Sequence, residues 1–295
     1  MREHTMGALL KDGTALLEKN GIGEAGLDAW LLLEYVTGKN RTYYFSHMEE
    51  EVPKEQEQKY QELLEKRRQH IPVQHLTHQA FFMGYEFYVN EHVLIPRQDT
   101  EILVEAALHC LKENKTPRLL DMCTGSGCIL LSLLLEKSNA TGVGADISAE
   151  ALNVAKYNAV RFGVDDRAEL IKSNLFEAAF FSETCGKQGE KYDILISNPP
   201  YIPTAQIETL MEEVRFYDPR QALDGREDGL YFYREITGCA GEYLKDGGWL
   251  LYEIGCDQGE AVKLLLEKAG FIHTEIKKDL AGLDRVVCGQ KPPIL

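Results

Sequence analysis

Two regimes of hydrophobic patterning divide the chain. Over residues 5–68 apolar side chains recur at three-to-four spacing, first Leu9, Leu10, Leu16 and Leu17, then Trp30, Leu31, Leu33 and Tyr35, which is the period of amphipathic helices. Glycines at 21, 23 and 26 and the Gly38-Lys39-Asn40 turn break the pattern. Residues 50–69, charged on most faces with Tyr60, Leu63 and Leu64 on one, predict a last helix of a small N-terminal bundle, residues 1–70. Beyond Pro117 short apolar runs alternate with helical segments. Strands are predicted over 118–122, 142–146, 170–173, 192–197 and 249–254, and helices over 128–137, 149–162, 230–244 and 259–269. Ser148 and Gly163 bracket the second of these helices as caps. Residues 271–278 and 285–289 flank Ala281-Gly282-Leu283-Asp284 and predict a terminal antiparallel hairpin. The polar stretch 177–191 carries no firm pattern. The fold class that follows is α/β, a doubly wound and mostly parallel sheet ending in an antiparallel hairpin, over residues 96–295.

Between the two regimes, residues 71–95 crowd Phe81, Phe82, Tyr85, Phe87 and Tyr88 around Gly84, and alternation about Asn90-Glu91 predicts a β-hairpin linker. Pro96 ends it. Arg97-Gln98-Asp99-Thr100-Glu101 then opens a helix running to about residue 111, with Asp99 or Thr100 as cap.

The apolar run Ile194-Leu195-Ile196-Ser197 stops at Asn198-Pro199-Pro200-Tyr201. A residue at the carboxyl end of a parallel strand points into the crevice where open α/β sheets bind ligands. Two prolines fix φ and supply no N–H, so the corner offers carbonyl oxygens and the Asn198 amide oxygen. A planar amino group is the guest that such acceptors suit. The alternative is ordinary turn punctuation after a strand.

A second loop, Leu120-Asp121-Met122-Cys123-Thr124-Gly125-Ser126-Gly127-Cys128, joins the first strand of the sheet to its helix. Its glycines let a ligand approach the backbone. Leu130 stands where a dinucleotide fingerprint would place a third glycine. Asp121 before the loop and Asp146 about 20 residues beyond it, where a carboxylate accepts from ribose hydroxyls, fit S-adenosylmethionine better. Ser173-Asn174-Leu175-Phe176 can add a polar group and an apolar wall at the adenine end, or Leu175 and Phe176 can be core.

Composition narrows the partners. Hydrophobic residues are 44% and charged residues 27% of 295, an ordinary globular balance, and the net charge of −15 argues against a protein that grips a nucleic-acid backbone. The seven cysteines, at positions 110, 123, 128, 185, 239, 256 and 288, form no Cys-x-x-Cys pair, and the eight histidines have no ligand spacing, so no metal site is expected. Met1-Arg2-Glu3-His4 leads into no signal-like segment. The most apolar run, residues 129–135, is far shorter than the roughly 18 residues of a membrane span. A cytoplasmic monomer without membrane association is expected.

With these motifs in place, the chain resembles the PrmC/HemK family, the protein-(glutamine-N5) methyltransferases acting on peptide chain release factors. The resemblance is carried by Ile71-Pro72-Val73-Gln74-His75-Leu76, by residues 93–101 with Ile95-Pro96-Arg97, and by the Asp121 to Gly127 loop. Asp146-Ile147-Ser148, Asn198 to Tyr201, Asp218-Pro219-Arg220, Asp228-Gly229-Leu230 and Asp284-Arg285-Val286-Val287 extend it. It implies a Rossmann-like class I methyltransferase that moves a methyl group from S-adenosylmethionine, leaving S-adenosylhomocysteine, to the glutamine of a Gly-Gly-Gln motif. It implies cofactor contacts from Asp121, Cys123, Thr124, Gly125, Ser126, Gly127, Asp146, Ile147, Asn174, Leu175 and Asn198, and substrate contacts from Asn198, Pro199, Pro200 and Tyr201. Arg97 and Glu101 are candidates for the cofactor end, with an ion pair at a helix start as the alternative. The helical bundle would dock the release factor. Two positions depart from the family pattern: Cys123 replaces a glycine and Asn174 an aspartate.

Carboxamide nitrogen is a poor nucleophile, so the site has to orient and polarise it. Asn198 Oδ1 and the Pro199 carbonyl would each accept one N–H, with Tyr201 walling the pocket. No general base is evident, and none is needed before transfer. Two other readings share these motifs: an amino methyltransferase acting on adenine or cytosine of nucleic acid, disfavoured by the acidic balance, and a non-catalytic S-adenosylmethionine-binding interaction protein.

Overall fold

The computed structural model describes residues 4–184 and 189–293, and the chain divides into two compact units. Cys185 and part of the 177–191 stretch lie outside the described residues. The first unit comprises residues up to 79 together with 211–217, and the second comprises 80–210 and 218–295.

In the first unit, helices Met6–Lys19, Ala25–Thr37, Arg41–Ser46, Lys54–Arg67 and Val73–Thr77 pack Leu9, Leu17, Trp30, Leu33, Tyr60, Leu63 and Leu64 into one core. Tyr60, on the apolar side anticipated within the charged stretch 50–69, donates its hydroxyl to the Ala29 carbonyl at 3.1 Å. Arg67 is buried. Its Nε donates to Asp28 Oδ2 at 2.7 Å, one Nη to the Ile71 carbonyl at 3.3 Å, and the other to Glu213 Oε1 at 2.5 Å. Burial pushes the Asp28 carboxyl up, and only the guanidinium opposes it. Arg67→Ala is therefore expected to lower unfolding stability by about 3 kcal/mol, because it leaves a buried carboxylate without its cation; a urea titration that finds less than about 1 kcal/mol would show that Asp28 has other support.

The second unit opens with a hairpin, β1 (Gln79–Phe82) and β2 (Tyr85–Tyr88). The turn falls at Met83-Gly84, both at positive φ, rather than at Asn90-Glu91, and 73–77 is helical. Aromatic alternation located the strands, but the conformational freedom of Gly84 decided the turn. The remaining strands are β3 (Arg118–Met122), β4 (Thr141–Asp146), β5 (Ala168–Lys172), β6 (Tyr192–Ser197), β7 (Leu244–Glu253), β8 (Ile272–Lys278) and β9 (Asp284–Gln290). They form one sheet in the order β5-β4-β3-β6-β7-β9-β8, parallel except where β9 runs against β7 and β8.

Both faces of this sheet are covered. Ile194 and Ile196 of β6 face a core with Leu103, Val104, Leu130 and Leu134, whereas Leu195 faces Tyr233, Ile236, Val262 and Leu266. A strand buried on both sides reads as a continuous apolar run, which is why 192–197 was legible. Strand order reverses between β3 and β6. Ligands bind at such a switch point, beyond the carboxyl ends of the strands, and there the chain places Cys123 and Asn198.

Three sequence boundaries shift. Residues 98–100 form a 3-10 turn before helix Glu101–Cys110, with no side-chain cap from Thr100. Strand β7 begins at Leu244 rather than 249, and β5 at Ala168. Helix Ala149–Phe162 matches its prediction, with Ser148 Oγ accepting from Ala151 N and Gly163 in the left-handed region.

Candidate active site

A cavity of about 840 Å³ opens at the switch point within the second unit. Its wall includes Cys123, Thr124, Gly125, Ser126, Asp146, Ile147, Asn174, Leu175, Asn198, Pro200, Thr100 and Arg97. The two motifs read from the sequence, the glycine loop and the Asn-Pro-Pro-Tyr corner, thus share one chamber.

The loop is built from its backbone. Cys123, Gly125 and Gly127 all have positive φ, and a Cβ on Gly125 would meet nothing within 4 Å, so its backbone faces open space. Asp146 Oδ2 accepts from Gly125 N and Oδ1 from Ser148 N, both at 2.9 Å. Burial raises the Asp146 pKa and these backbone donors oppose the rise. Its remaining lone pairs are available to hydroxyl donors at the end of β4. Ile147 next to it is an exposed apolar side chain on the cavity wall, a surface for a flat ring. Leu175, also at positive φ, lines the cavity, and Asn174 beside it is exposed. Phe176 instead stacks on Tyr243, with ring centroids 4.4 Å apart, and is core.

Two of the residues expected at the cofactor lie behind this wall. Asp121 is fully buried and accepts the Thr124 hydroxyl at 2.6 Å, so it braces the loop from below. Burial pushes its carboxyl up to about 7, against the Thr124 hydrogen bond. Gly127 is also off the wall. A Cβ there would stand 3.0 Å from Leu131 and 3.2 Å from Ala155, so this glycine permits close helix packing at the start of helix Cys128–Glu136.

Cys123 occupies a left-handed conformation that glycine adopts freely and other residues at a cost of about 1 kcal/mol. Cys123→Gly is expected to keep activity and to hold stability within about 1 kcal/mol, since relief of strain offsets lost packing. A β-branched side chain is far less compatible with positive φ, so Cys123→Val should weaken cofactor binding and lower the melting temperature. Equal behaviour of the two variants in calorimetry would show that backbone strain is not what this position controls.

At the second motif, Asn198 directly follows β6; Asn198 and Pro200 line the cavity, and Pro199 between them is buried, as is Pro200. Asn198 Nδ2 points to Thr100 Oγ1 at 3.5 Å. Tyr201 does not wall the chamber. Its ring packs against the core of Tyr233 and Leu195, and burial, reinforced by the Glu253 charge, pushes its hydroxyl up to about 12. The backbone explains the placement: Gln258 Nε2 donates to the Tyr201 carbonyl at 2.9 Å, and Gly225 and Gly229 press against the same residue. Of the remaining candidates, Arg97 lines the cavity and pairs with Asp218 at 2.9 Å. Glu101 accepts from Met83 N at 2.7 Å, holding the β1–β2 turn instead of meeting the cofactor end.

Sequence reasoning missed three supporting residues. Gln258 is one. Asn158, fully buried on helix Ala149–Phe162, donates to the Ser126 carbonyl and the Tyr88 carbonyl, both at 3.0 Å, and accepts from Tyr88 N, tying the glycine loop to the hairpin. Glu253, a buried acid ending the apolar run of β7, is the third. For Asn158 and Glu253 a polar residue inside an otherwise apolar face was the available signal, whereas Gln258, in a polar turn, offered none.

The sheet order, its antiparallel finish and the shared chamber define a class I S-adenosylmethionine-dependent methyltransferase. Family profiles agree: a PrmC N-terminal domain matches residues 8–77 and a methyltransferase small domain residues 98–229. The chain belongs to the release factor glutamine methyltransferase family. The relative of that name from Clostridium acetobutylicum is 40% identical over 260 residues, covering 88% of this chain and 89% of its own length. The one from Caulobacter vibrioides is 40% identical over 278 residues, 94% of this chain and 93% of its own. Among solved structures, the hMettl16 catalytic domain in complex with MAT2A 3'UTR hairpin 1 shares the fold, with a TM-score of 0.54 at 15% identity over 72% of this chain and 79% of that one. Among the described residues no helix is long and apolar enough to cross a membrane, and no group of three His, Cys, Asp or Glu could hold a metal ion.

Proposed function

We propose that this chain transfers a methyl group from S-adenosylmethionine to the N5 side-chain nitrogen of the glutamine in the Gly-Gly-Gln motif of peptide chain release factors, with the N-terminal helical unit as the docking module for that protein substrate. The observation that carries the reading is the single chamber lined by the Gly125 backbone, Asp146, Asn198 and Pro200. Its size accommodates a nucleoside-sized ligand together with one amino-acid side chain.

The residues present suit the cofactor: a loop whose glycine faces open space, a carboxylate at the end of β4 with free lone pairs, and apolar Ile147 and Leu175 on the wall. In this reading Cys123 to Ser126, Asp146, Ile147, Asn174 and Leu175 hold it. When bound, it supplies an electrophilic methyl group on a sulfonium. The protein's part is to present the nucleophile. The two N–H bonds of a glutamine amide meet acceptors at Asn198 Oδ1 and the Pro199 carbonyl, and this fixes the plane and direction of the nitrogen. The same acceptors stabilise the positive charge that develops on that nitrogen during transfer. Pro199 and Pro200 bring no backbone N–H that would compete as donors. Once methylated the nitrogen is acidic and its proton passes to water.

The test is incubation with methyl-labelled cofactor and a purified release factor, followed by peptide mass spectrometry. Label on the Gly-Gly-Gln glutamine is expected. Label on DNA or RNA alone, or tight cofactor binding with no transfer to the release factor, would overturn this reading.

A further inference from the structure

The register of the sheet sets a second polar group beside Asn198. Ser197 of β6 pairs with Tyr252 of β7, so the next residues, Asn198 and Glu253, stand side by side at the carboxyl ends of the two strands. Glu253 is only 3% exposed. The neighbouring Thr100 hydroxyl and Asn198 amide both favour its charged form, and its Oε2 has no hydrogen-bond partner among the described residues. Thr100 in turn faces Asn198 Nδ2. A buried carboxyl is costly unless something uses it. It does not form part of the cavity wall, so its effect on a bound substrate has to pass through Asn198.

We propose that Glu253 is a positioning residue for amide transfer: with Thr100 it draws Asn198 Nδ2 away from the chamber and leaves Asn198 Oδ1 turned to the reacting nitrogen. The inference rests on Asn198 being the acceptor for the glutamine amide. An amide side chain can present either end, and nothing in its shape distinguishes them. A carboxylate can only accept, so beside Glu253 only the NH₂ end is satisfied. Its negative charge also polarises the Asn198 amide and makes Oδ1 a better acceptor for the charge that grows on the substrate. The protonated acid has an O–H to donate and favours the opposite flip, which would occupy Oδ1.

Protonation is therefore the readout. Burial pushes the Glu253 carboxyl up to about 7, with Thr100 donation and Arg285 opposing and Asp99 reinforcing. The other titratable groups facing it are Tyr201, Tyr233 and Cys128, all raised by burial and neutral throughout this range. Below pH 7 the acid form prevails and transfer should be slow; above it the carboxylate prevails and transfer should be fast. Asp121 titrates in the same range, so comparison with a variant is what assigns the transition.

The experiment is single-turnover methylation of the release factor from pH 5.5 to 8.5 by the wild-type protein and by Glu253→Gln, with cofactor affinity and melting temperature measured for both. Glu253→Gln is expected to lower kcat about tenfold at pH 8, to leave the cofactor dissociation constant within about twofold, and to lose the rise near pH 7. Thr100→Val, which removes the other partner, should lower kcat about threefold and keep the pH dependence. Should Glu253→Gln fail to fold, Thr100→Val carries the test alone, and an unchanged kcat in it overturns the proposal. A Glu253→Gln profile that parallels the wild type, whatever its height, overturns it too, because a merely structural role scales activity without moving the transition. A wild-type protein that places no label on glutamine defeats the reading of the reaction itself, and that outcome is distinct from either of these.

Discussion

Replacing Asn198 with alanine is expected to lower kcat by more than about 100-fold and to leave the cofactor dissociation constant within about threefold. The size follows from what the side chain does. In the proposed mechanism its amide oxygen is one of two acceptors that orient the substrate amide, and its contribution grows as charge develops on the nitrogen, so the loss falls on kcat more than on KM. The surfaces proposed for the cofactor are the loop after β3 and Asp146, the last residue of β4, and the substitution touches neither. Stability should change little, because the one hydrogen bond from Nδ2, to Thr100 Oγ1, is long at 3.5 Å. Asn198→Asp makes a sharper contrast. It keeps an acceptor oxygen but sets a second carboxyl against the buried Glu253, and two adjacent carboxyls tend to share a proton. It should fail as well, and more severely at high pH. Isothermal titration of the cofactor with single-turnover kinetics separates these effects; an Asn198→Ala protein that methylates at the wild-type rate would refute the amide-clamp mechanism.

Most of the fold was legible because burial on both faces leaves a plain signature. Strand β6, helix Ala149–Phe162 with its Ser148 and Gly163 caps, and the terminal hairpin β8–β9 fall where periodicity and turn chemistry put them. The misplaced features are those decided by single backbone positions or by distant partners. The hairpin turn sits at Met83-Gly84 because those residues adopt positive φ, which outweighs the Asn-Glu signal downstream. Residues 211–217 fold with the N-terminal helices: Glu213 meets Arg67, and the Tyr217 hydroxyl donates to the Gln69 carbonyl at 2.7 Å. No local pattern encodes a partnership across some 146 residues of chain. The site divides in the same way. Residues whose backbone or short side chain defines the chamber were found from spacing. Asp121, Gly127, Tyr201 and Glu101, expected at a ligand, lie off the chamber wall: Asp121 braces Thr124, Gly127 packs on Leu131 and Ala155, Tyr201 is held by Gln258, and Glu101 holds the Met83 turn. A motif marks which residues a site requires, but whether a side chain points into the chamber or behind its wall depends on neighbours from other elements.

Gly229→Ala is expected to reduce kcat by about 100-fold without any change in a residue that lines the chamber. Gly229 has φ +73, where alanine costs about 1 kcal/mol. A Cβ there would lie 2.3 Å from the Tyr201 carbonyl oxygen and 2.7 Å from Gln258 Nε2. Those two atoms form the hydrogen bond that pins the corner, so the methyl group has to part them or push both. Gly225 packs against the same peptide, a Cβ on it meeting the Tyr201 backbone at 2.7 Å and Gly229 Cα at 2.8 Å, so the segment is already close-packed where the methyl group would go. The displacement then runs back along the chain toward Asn198. Pro199 and Pro200 intervene with fixed φ, and a segment that cannot rotate transmits a shift instead of absorbing it. A misplacement of about 1 Å at the acceptor is enough for a 100-fold loss. Overpacking should also lower stability by about 2 kcal/mol. Gly238→Ala is the control: Gly238 lies within helix Tyr231–Tyr243 where an added Cβ meets nothing, and alanine there should raise stability by about 0.5 to 1 kcal/mol at unchanged activity. If Gly229→Ala loses stability but methylates as fast as Gly238→Ala, the Tyr201 carbonyl is a structural anchor only, and the geometry of Asn198 is set by β6 and Glu253 without help from Gly225 and Gly229 packed on Tyr201.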